Sequence, residues 1–432
     1  MDNVTVIKGN IVTTSKVLYG GCVIVVNDLI ASVCGNETLV RKELGELENT
    51  HPGIGAATWQ EAAFVLPGFV DIHNHGLGGA SDVIGHWSNP EYSLKELARC
   101  GTLTTLASII FSDSHKKLVT DCIDAIEKRV GSYTEDNCIL GGIHAEGPVI
   151  HDRGGLPECK SEISLDDFKR LVNSMPSLRV MTISPHIEAR CNYEKIRHLL
   201  KKKVRVALGH DRAATKSEIM CALKLAASEE EKMHVTHLCN VSTFNHRASS
   251  LVNAAMCPRF PNAPLYKGAR PPTLEIIADL IHVDSVTLQS VLSSRSVDDI
   301  AIITDCISAH IPGKHVVYNG RDSVVQAGGA CYLCDSFGRA SSTLAGGTSM
   351  LADLFHILIT LFGKDVVEAC LHTATVPARI ANLPDVGAIA VGKKANLLLF
   401  DAELNTIEKR MIYGQWTSHK PYRILHPSVA HL

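Results

Sequence analysis

Between residues 66 and 380 the chain alternates short, continuously apolar runs with stretches whose apolar residues recur at helical spacing. The runs are Phe69–Ile72, Leu103–Ile110, Ile139–Ile143, Leu178–Ile183, Val204–Leu208, His234–Leu238, Ile276–His282 and Ile300–Thr304. Stretches such as Leu118–Arg129, Leu165–Val172 and Lys216–Ala227 separate most of them. A strand that is apolar throughout must be covered on both faces, the condition of a parallel sheet wrapped in helices. Eight repeats of this unit favour a closed (β/α)8 TIM-type barrel over an open sheet. No Gly-x-Gly-x-x-Gly follows the first run, so a dinucleotide-binding sheet loses support.

The two ends follow another rhythm. Val4–Lys8, Ile11–Thr13 and Gly21–Val26 place β-branched residues between Gly and Asn, and residues 387–396, Leu397–Phe400 and Met411–Tyr413 do the same. The chain therefore reads as α/β, with a barrel over 66–380. Residues 1–65 and 381–432 would together build a small β-sandwich-like domain from both termini. A length of 432 residues accommodates a barrel of about 250 residues and a satellite.

Composition narrows the function classes. Forty-two Lys and Arg against 45 Asp and Glu leave a net charge of −3, which offers no steering toward nucleic acid or an anionic membrane. With 45% hydrophobic and 20% charged residues, the chain has material for a large core. The longest apolar stretch, Leu351–Phe362, is broken by Asp353 and His356 and is too short to span a bilayer. Met1-Asp2-Asn3 lacks the basic start of a secretory signal, so the expectation is a cytoplasmic protein. The 14 cysteines are dispersed, with Cys331/Cys334 the one C-x-x-C pair; they read as reduced, buried thiols.

The histidines carry more. Barrel sites lie at the C-terminal ends of strands. There the sequence places Asp71-Ile-His73-Asn-His75, His144-Ala-Glu146-Gly-Pro, Gly209-His210-Asp211, Thr236-His237-Leu-Cys-Asn240 and Thr304-Asp305. Alternation along a strand sets His73 and His75 on one face, about 6.6 Å apart along the backbone. Imidazole and carboxylate together suit zinc, iron or a similar divalent ion. Five strand ends offering such ligands at one rim point to a metal site. His234, deeper in its strand, reads as a core or supporting group, His144 beside Glu146 is open in the same way, and His198, His356 and His372 read as helix-surface or satisfied core residues.

On these segments the chain resembles the amidohydrolase superfamily and, within it, the N-acetylglucosamine-6-phosphate deacetylases. The resemblance covers nearly the whole chain. It rests on the segment from Pro67 to Gly76, on Ala145-Glu146-Gly-Pro148, Gly209-His210 and Thr236-His237-Leu-Cys-Asn240, and on Ile277-Ala-Asp279-Leu-Ile-His282-Val-Asp284. Thr304-Asp305, Leu344-Ala-Gly346, Ala374-Thr-Val-Pro377 and residues 387–396 extend it. The resemblance implies hydrolysis of the acetamide of N-acetylglucosamine 6-phosphate, or of a close N-acetylhexosamine phosphate, with one or two divalent ions per chain. Glu146, His210 and His237 match the main ligands, and His73 and His75 the pair found in two-metal members. Asp305 matches the carboxylate that takes the water's proton and returns it to the departing amine.

The same resemblance implies substrate contacts at Gly155, Asn240, Val241, Asp279, His282, Leu344, Ala345 and Gly346. It also implies a homodimer in which Arg247 reaches the neighbouring site to hold phosphate. Four departures bear on substrate preference. Leu156 stands where the family has His, Ser184-Pro185-His186 replaces Ala-Pro-Glu, Ala-Ser-Ser follows Arg247, and the loop Arg259–Pro272 is enlarged. A dihydroorotase- or dihydropyrimidinase-like ring opener would need a Lys on the fourth strand, where Leu178–His186 has none. A sugar-phosphate binder without catalysis would have no use for Asp305.

Overall fold

The computed structural model describes residues 2–50, 57–77, 86–307, 315–318, 321–325 and 330–424. Both ends of the chain enter one sheet. Strands β1 (Val4–Val12), β2 (Val17–Val26), β3 (Leu29–Cys34) and β4 (Thr58–Pro67) share an eight-stranded sheet with Leu397–Phe400, Thr406–Ile412, Gln415–Trp416 and Tyr422–Arg423. β4 is the seam, parallel to β1 and antiparallel to Leu397–Phe400. The runs Val4–Lys8 and Ile11–Thr13 prove to be one strand whose register shifts between Gly9 and Ile11. A helix, Glu37–Thr50, interrupts this region and buries Val40 against Cys22 and Ile24. Its sequence signal is the pair of i,i+4 ion pairs Glu37–Arg41 and Lys42–Glu46.

The next six strands are β5 (Phe69–Asp71), β6 (Thr102–Ile110), β7 (Ile139–Glu146), β8 (Leu178–Ile183), β9 (Arg205–Leu208) and β10 (His234–Val235). They form one curled parallel sheet in chain order. β11 (Leu274–Ile277) and β12 (Ile300–Ile303) form a separate parallel pair. Backbone hydrogen bonds reach across the gaps. Val235 N–H donates to the Thr273 carbonyl (2.9 Å) and Leu238 N–H to Glu275 (2.8 Å). At the other edge Asp305 N–H donates to His73 and His75 N–H to Cys306, both at 2.9 Å.

Each of the eight apolar runs overlaps a strand, but two are displaced for identifiable reasons. β10 stops at Val235, before His237, whose N–H turns to the Glu275 carboxylate instead of a ladder partner. β11 starts at Leu274 and ends before Asp279, whose carboxylate collects the N–H groups of Ile281 and His282 and bends the chain. After β12 the chain adds a four-stranded antiparallel sheet, with strands His315–Tyr318, Arg321–Val325, Ala330–Cys334 and Ala340–Gly347. This sheet departs from the strand–helix alternation expected as far as residue 380.

The helices form where capping and periodicity agree. Ser164 accepts the N–H of Asp167 at the start of Leu165–Asn173, which buries Phe168 and Val172, four residues apart. Thr215 and Glu218 form a capping box on Lys216–Ser228. Among the described residues no helix is long and apolar enough to cross a membrane.

Three buried rings join the two sheets. Phe69 on β5 lies 5.1 Å from Phe355 on helix Leu351–Thr360 and 6.4 Å from Phe400 of the terminal sheet, with Phe355 and Phe400 5.9 Å apart between centroids. All three are fully buried. Arg410 adds a polar pin, donating to the carbonyls of Arg99 (2.7 Å) and Lys420 (3.0 Å). Phe400→Ala should cost about 3–5 kcal/mol, the usual range for truncating a buried ring. Denaturant unfolding would show this as a lowered midpoint, and an unchanged midpoint would contradict the joint.

Candidate metal centre

The C-terminal ends of β7, β9, β10 and β12 converge on one point. Glu146, the last residue of β7, is 3% exposed, and its Oε1 lies 2.8 Å from His210 Nε2 and 3.0 Å from His237 Nε2. The two imidazole nitrogens are themselves 3.0 Å apart. His75 Nε2 faces Glu146 Oε2 at 3.4 Å and Asp305 Oδ1 at 3.0 Å. His73 Nε2 lies 3.7 Å from Glu146 Oε1 and 3.5 Å from Asp305 Oδ1. Glu146, His210 and His237 form one group with metal-ligand spacing, and His73, His75 and Glu146 form a second.

The tautomers decide what this cluster needs. His210 Nδ1 sits 2.8 Å from the Asp152 carbonyl, a pure acceptor, so Nδ1 carries the proton. Its Nε2 then points a lone pair at the Glu146 carboxylate and at a second imidazole, which is repulsive unless a cation lies between them. His73 repeats the pattern: Nδ1 is 2.6 Å from Glu275 Oε1, and Nε2 is buried with no hydrogen-bond partner among the described residues. Oriented nitrogens, a carboxylate and an orphaned imidazole fit a divalent ion.

Charge balance points the same way. Burial pulls His73 down, but Glu275, Asp305 and Glu146 outweigh it and hold it well above the usual imidazole range. Burial is likewise overcome at His75, which Asp305 and Glu146 lift to about 9. Burial would raise Glu146, yet the imidazoles of His210, His237 and His73 gathered at its carboxylate hold it well below the carboxylate range. Asp305 is lowered against its burial by the charges of His73, His75 and His237. The carboxylates thus demand positive charge at this point. A divalent cation meets that demand with directional bonds.

Backbone conformation is also unusual here. His210, His237 and Asp305 adopt φ of 50°, 23° and 47°, in the left-handed region. β5 ends at Asp71, whose carboxylate accepts the N–H of His73, so this turn and not strand alternation brings His73 and His75 together. Their rings lie 5.3 Å apart.

Glu275, inconspicuous in the sequence, organises the layer below. It takes His73 Nδ1 and the His237 N–H on Oε1 and His234 Nε2 on Oε2. Its signal was a carboxylate inside the apolar strand Leu274–Ile277. His144, left open by the sequence, is a supporting group, 2.9 Å from the Ile72 carbonyl and 3.0 Å from Thr182 Oγ1. Burial, reinforced by His73, lowers it to about 3 and keeps it neutral. Asp211 is spent on backbone, accepting the N–H groups of His186, Ala213 and Ala214.

A pocket of about 330 Å³ opens over the cluster. Its floor includes His75, Glu146, His210, His237 and Asp305, and its walls include Gly155, Leu156, Asn240, Val241 and the strand segment Leu344, Ala345 and Gly346. Gly155 is required there, since a Cβ would meet the Leu344 carbonyl at 2.9 Å. Three expected contacts are not among the lining residues. Asp279 and His282 pair with each other at 2.7 Å, and His282 feels the charge of Asp305. Arg247 is exposed in an adjoining cleft. His186 bonds Glu218 and Arg190 and does not reach the pocket, and in the loop Arg259–Pro272 Phe260 stacks on Tyr266 at 5.7 Å.

If the cluster holds a cation, the purified protein should carry a divalent ion by elemental analysis, and His210→Ala should lose it. Chelation should lower the unfolding temperature of the native chain, as removing any native-state ligand does. Equal unfolding temperatures before and after chelation would count against the centre.

Residues 64–424 match the Amidohydrolase family. N-acetylglucosamine-6-phosphate deacetylase of Bacillus subtilis (strain 168) is 26% identical over 353 residues, spanning 79% of this chain and 82% of the relative. N-acetylgalactosamine-6-phosphate deacetylase of Escherichia coli O157:H7 is 27% identical over 374 residues, spanning 84% and 90%. In fold, the chain is similar to the crystal structure of N-acetylglucosamine-6-phosphate deacetylase from Pasteurella multocida. That likeness has a TM-score of 0.74 at 22% identity and covers 96% of this chain and 99% of that one. The corresponding enzyme from Mycobacterium smegmatis gives 0.72 at 20% identity, covering 95% and 99%. With the family match running from β4 to the last described strand, the protein belongs to the Amidohydrolase family.

Proposed function

We propose that this chain hydrolyses the acetamide of N-acetylglucosamine 6-phosphate, or of a close N-acetylhexosamine phosphate, to the amino sugar phosphate and acetate. The observation that carries this reading is the Asp305 carboxylate on the floor of the same pocket as Glu146, His210 and His237. A pocket of about 330 Å³ suits a monosaccharide better than a longer glycan. The names of the relatives supply the substrate class.

Glu146, His210 and His237 would hold a divalent ion, zinc or iron first, and His73 and His75 would serve a second. Such an ion supplies Lewis acidity toward the amide carbonyl and makes a water nucleophilic near neutral pH. Asp305 takes the proton of the attacking water as the O–C bond forms. It then gives that proton to the sugar nitrogen as the C–N bond breaks. Gly155, Asn240, Val241 and Leu344–Gly346 would shape the sugar site, with Asp279 orienting His282 toward it. The eight parallel strands would close into a (β/α)8 barrel over 66–380. Residues 1–65 and 381–432 would form the small β-sandwich-like domain, and the protein would act in the cytoplasm as a homodimer.

Acetate release across N-acetylglucosamine, N-acetylgalactosamine and their 6-phosphates tests the activity. With the preferred sugar, Asp305→Asn should retain its metal and lose about 10²–10⁴-fold in turnover. Near-native turnover would remove Asp305 from the proton transfer.

The dimer has its own test. Arg247→Ala mixed with His210→Ala should regain activity if Arg247 acts across the interface. The chain with a sound metal centre then receives Arg247 from its partner. No recovery despite demonstrated subunit exchange would reject that arrangement.

A further inference from the structure

A phosphorylated substrate needs a cation in reach of the metal pocket, and the single chain offers one. Among the described residues lining that pocket, Arg212 is the only Lys or Arg. Arg247 lines the adjoining cleft of about 440 Å³, and Arg212 belongs to both cavities. The described residues lining that cleft include Arg212, Lys216 and Arg247 and no carboxylate. The rim therefore presents positive charge, offset at Arg212 only in part by Asp152, beside a floor rich in carboxylates and imidazoles.

Arg212 is held for the purpose at two points. Its backbone N–H donates to Asp152 Oδ2, and Asp152 also donates its own N–H to the His210 carbonyl (2.8 Å). Its Nε donates to the Val241 carbonyl at 2.8 Å, in the pocket wall. With Nε engaged, the guanidinium plane is set, and its two terminal nitrogens take no partner among the described residues. Two parallel N–H donors in a set plane match two oxygens of a phosphate.

We propose that Arg212 is the phosphate anchor supplied by the chain's own subunit, a specificity-determining residue that recognises the dianionic end of the substrate at the rim of the metal pocket. This rests on the deacetylase reading above and adds to it an anchor independent of any second subunit. Binding energy gathered at the phosphate positions the acetamide at the far end over Asp305.

The test compares Arg212→Gln and Arg212→Lys in the metal-loaded, full-length protein. Arg212→Gln should raise KM for the preferred 6-phosphate by about 10–100-fold, the scale of a lost hydrogen bond to a charged group, with a much smaller change in kcat. Competitive inhibition by inorganic phosphate should weaken by a similar factor. Arg212→Lys should restore part of both, because it returns the charge but not the two-pronged contact. If Arg212 merely braces the Val241 carbonyl, Gln and Lys should fail alike, and the unphosphorylated sugar should suffer by the same factor. That result, or undiminished phosphate inhibition in Arg212→Gln, would overturn the assignment. The two readings fail separately: a native enzyme that releases no acetate from any of these sugars defeats the deacetylase reading. Calorimetric binding of inorganic phosphate, lost in Arg212→Gln, would still establish the anion subsite.

Discussion

Two imidazole nitrogens 3.0 Å apart, both within 3.0 Å of one buried carboxylate oxygen, are the constraint around which this structure is arranged. The parallel ladder creates it. Glu146 pairs with Thr182, Thr182 with Ala207, and Ala207 with His234. His210 and His237 each lie three residues beyond their members of that row, so both stand above the sheet edge and lean toward Glu146. A one-residue slip in any of these strands would turn alternate side chains to the other face and scatter the cluster.

Directly below lies a layer of polar groups that would be costly if any were left alone. Glu275 is shared by His73, His234 and the backbone of His237, and Thr182 bridges His144 and Thr236. Asp71 accepts from Thr304 and Asn74, tying β5 to the end of β12. Burial raises Asp71 to about 6 despite those hydrogen bonds. The apolar core sets where the strands run; this layer sets the orientation of each ring above it.

The strands were legible because burial on both faces leaves an unbroken apolar run, and Leu178–Ile183 matches to the residue. The clustered His and Glu residues were legible because both types are conspicuous at strand ends. What the sequence hid depends on side chains that redirect the backbone. Asp279 ends β11 early, and Glu275 draws the His237 N–H out of the ladder. The four-stranded sheet after β12 supplies Leu344–Gly346 to the pocket wall, yet its strands carry no pattern that separates them from the repeats before it. Arg212 escaped notice because a single Arg after Gly-His-Asp is an ordinary loop residue until Val241 is seen to hold it.

The left-handed backbones of His210, His237 and Asp305 have a consequence for how this protein can be improved. Each non-glycine residue in that region costs on the order of 1–3 kcal/mol, and all three sit on the floor of the pocket. Gly or Asn at these positions would relax the chain and remove the very atoms that matter. A search for heat-resistant variants by stability alone would therefore drift, at three places, away from the cluster on which the proposed activity rests. Durable gains have to come from the terminal sheet and outer helices, where folding and activity are not in conflict.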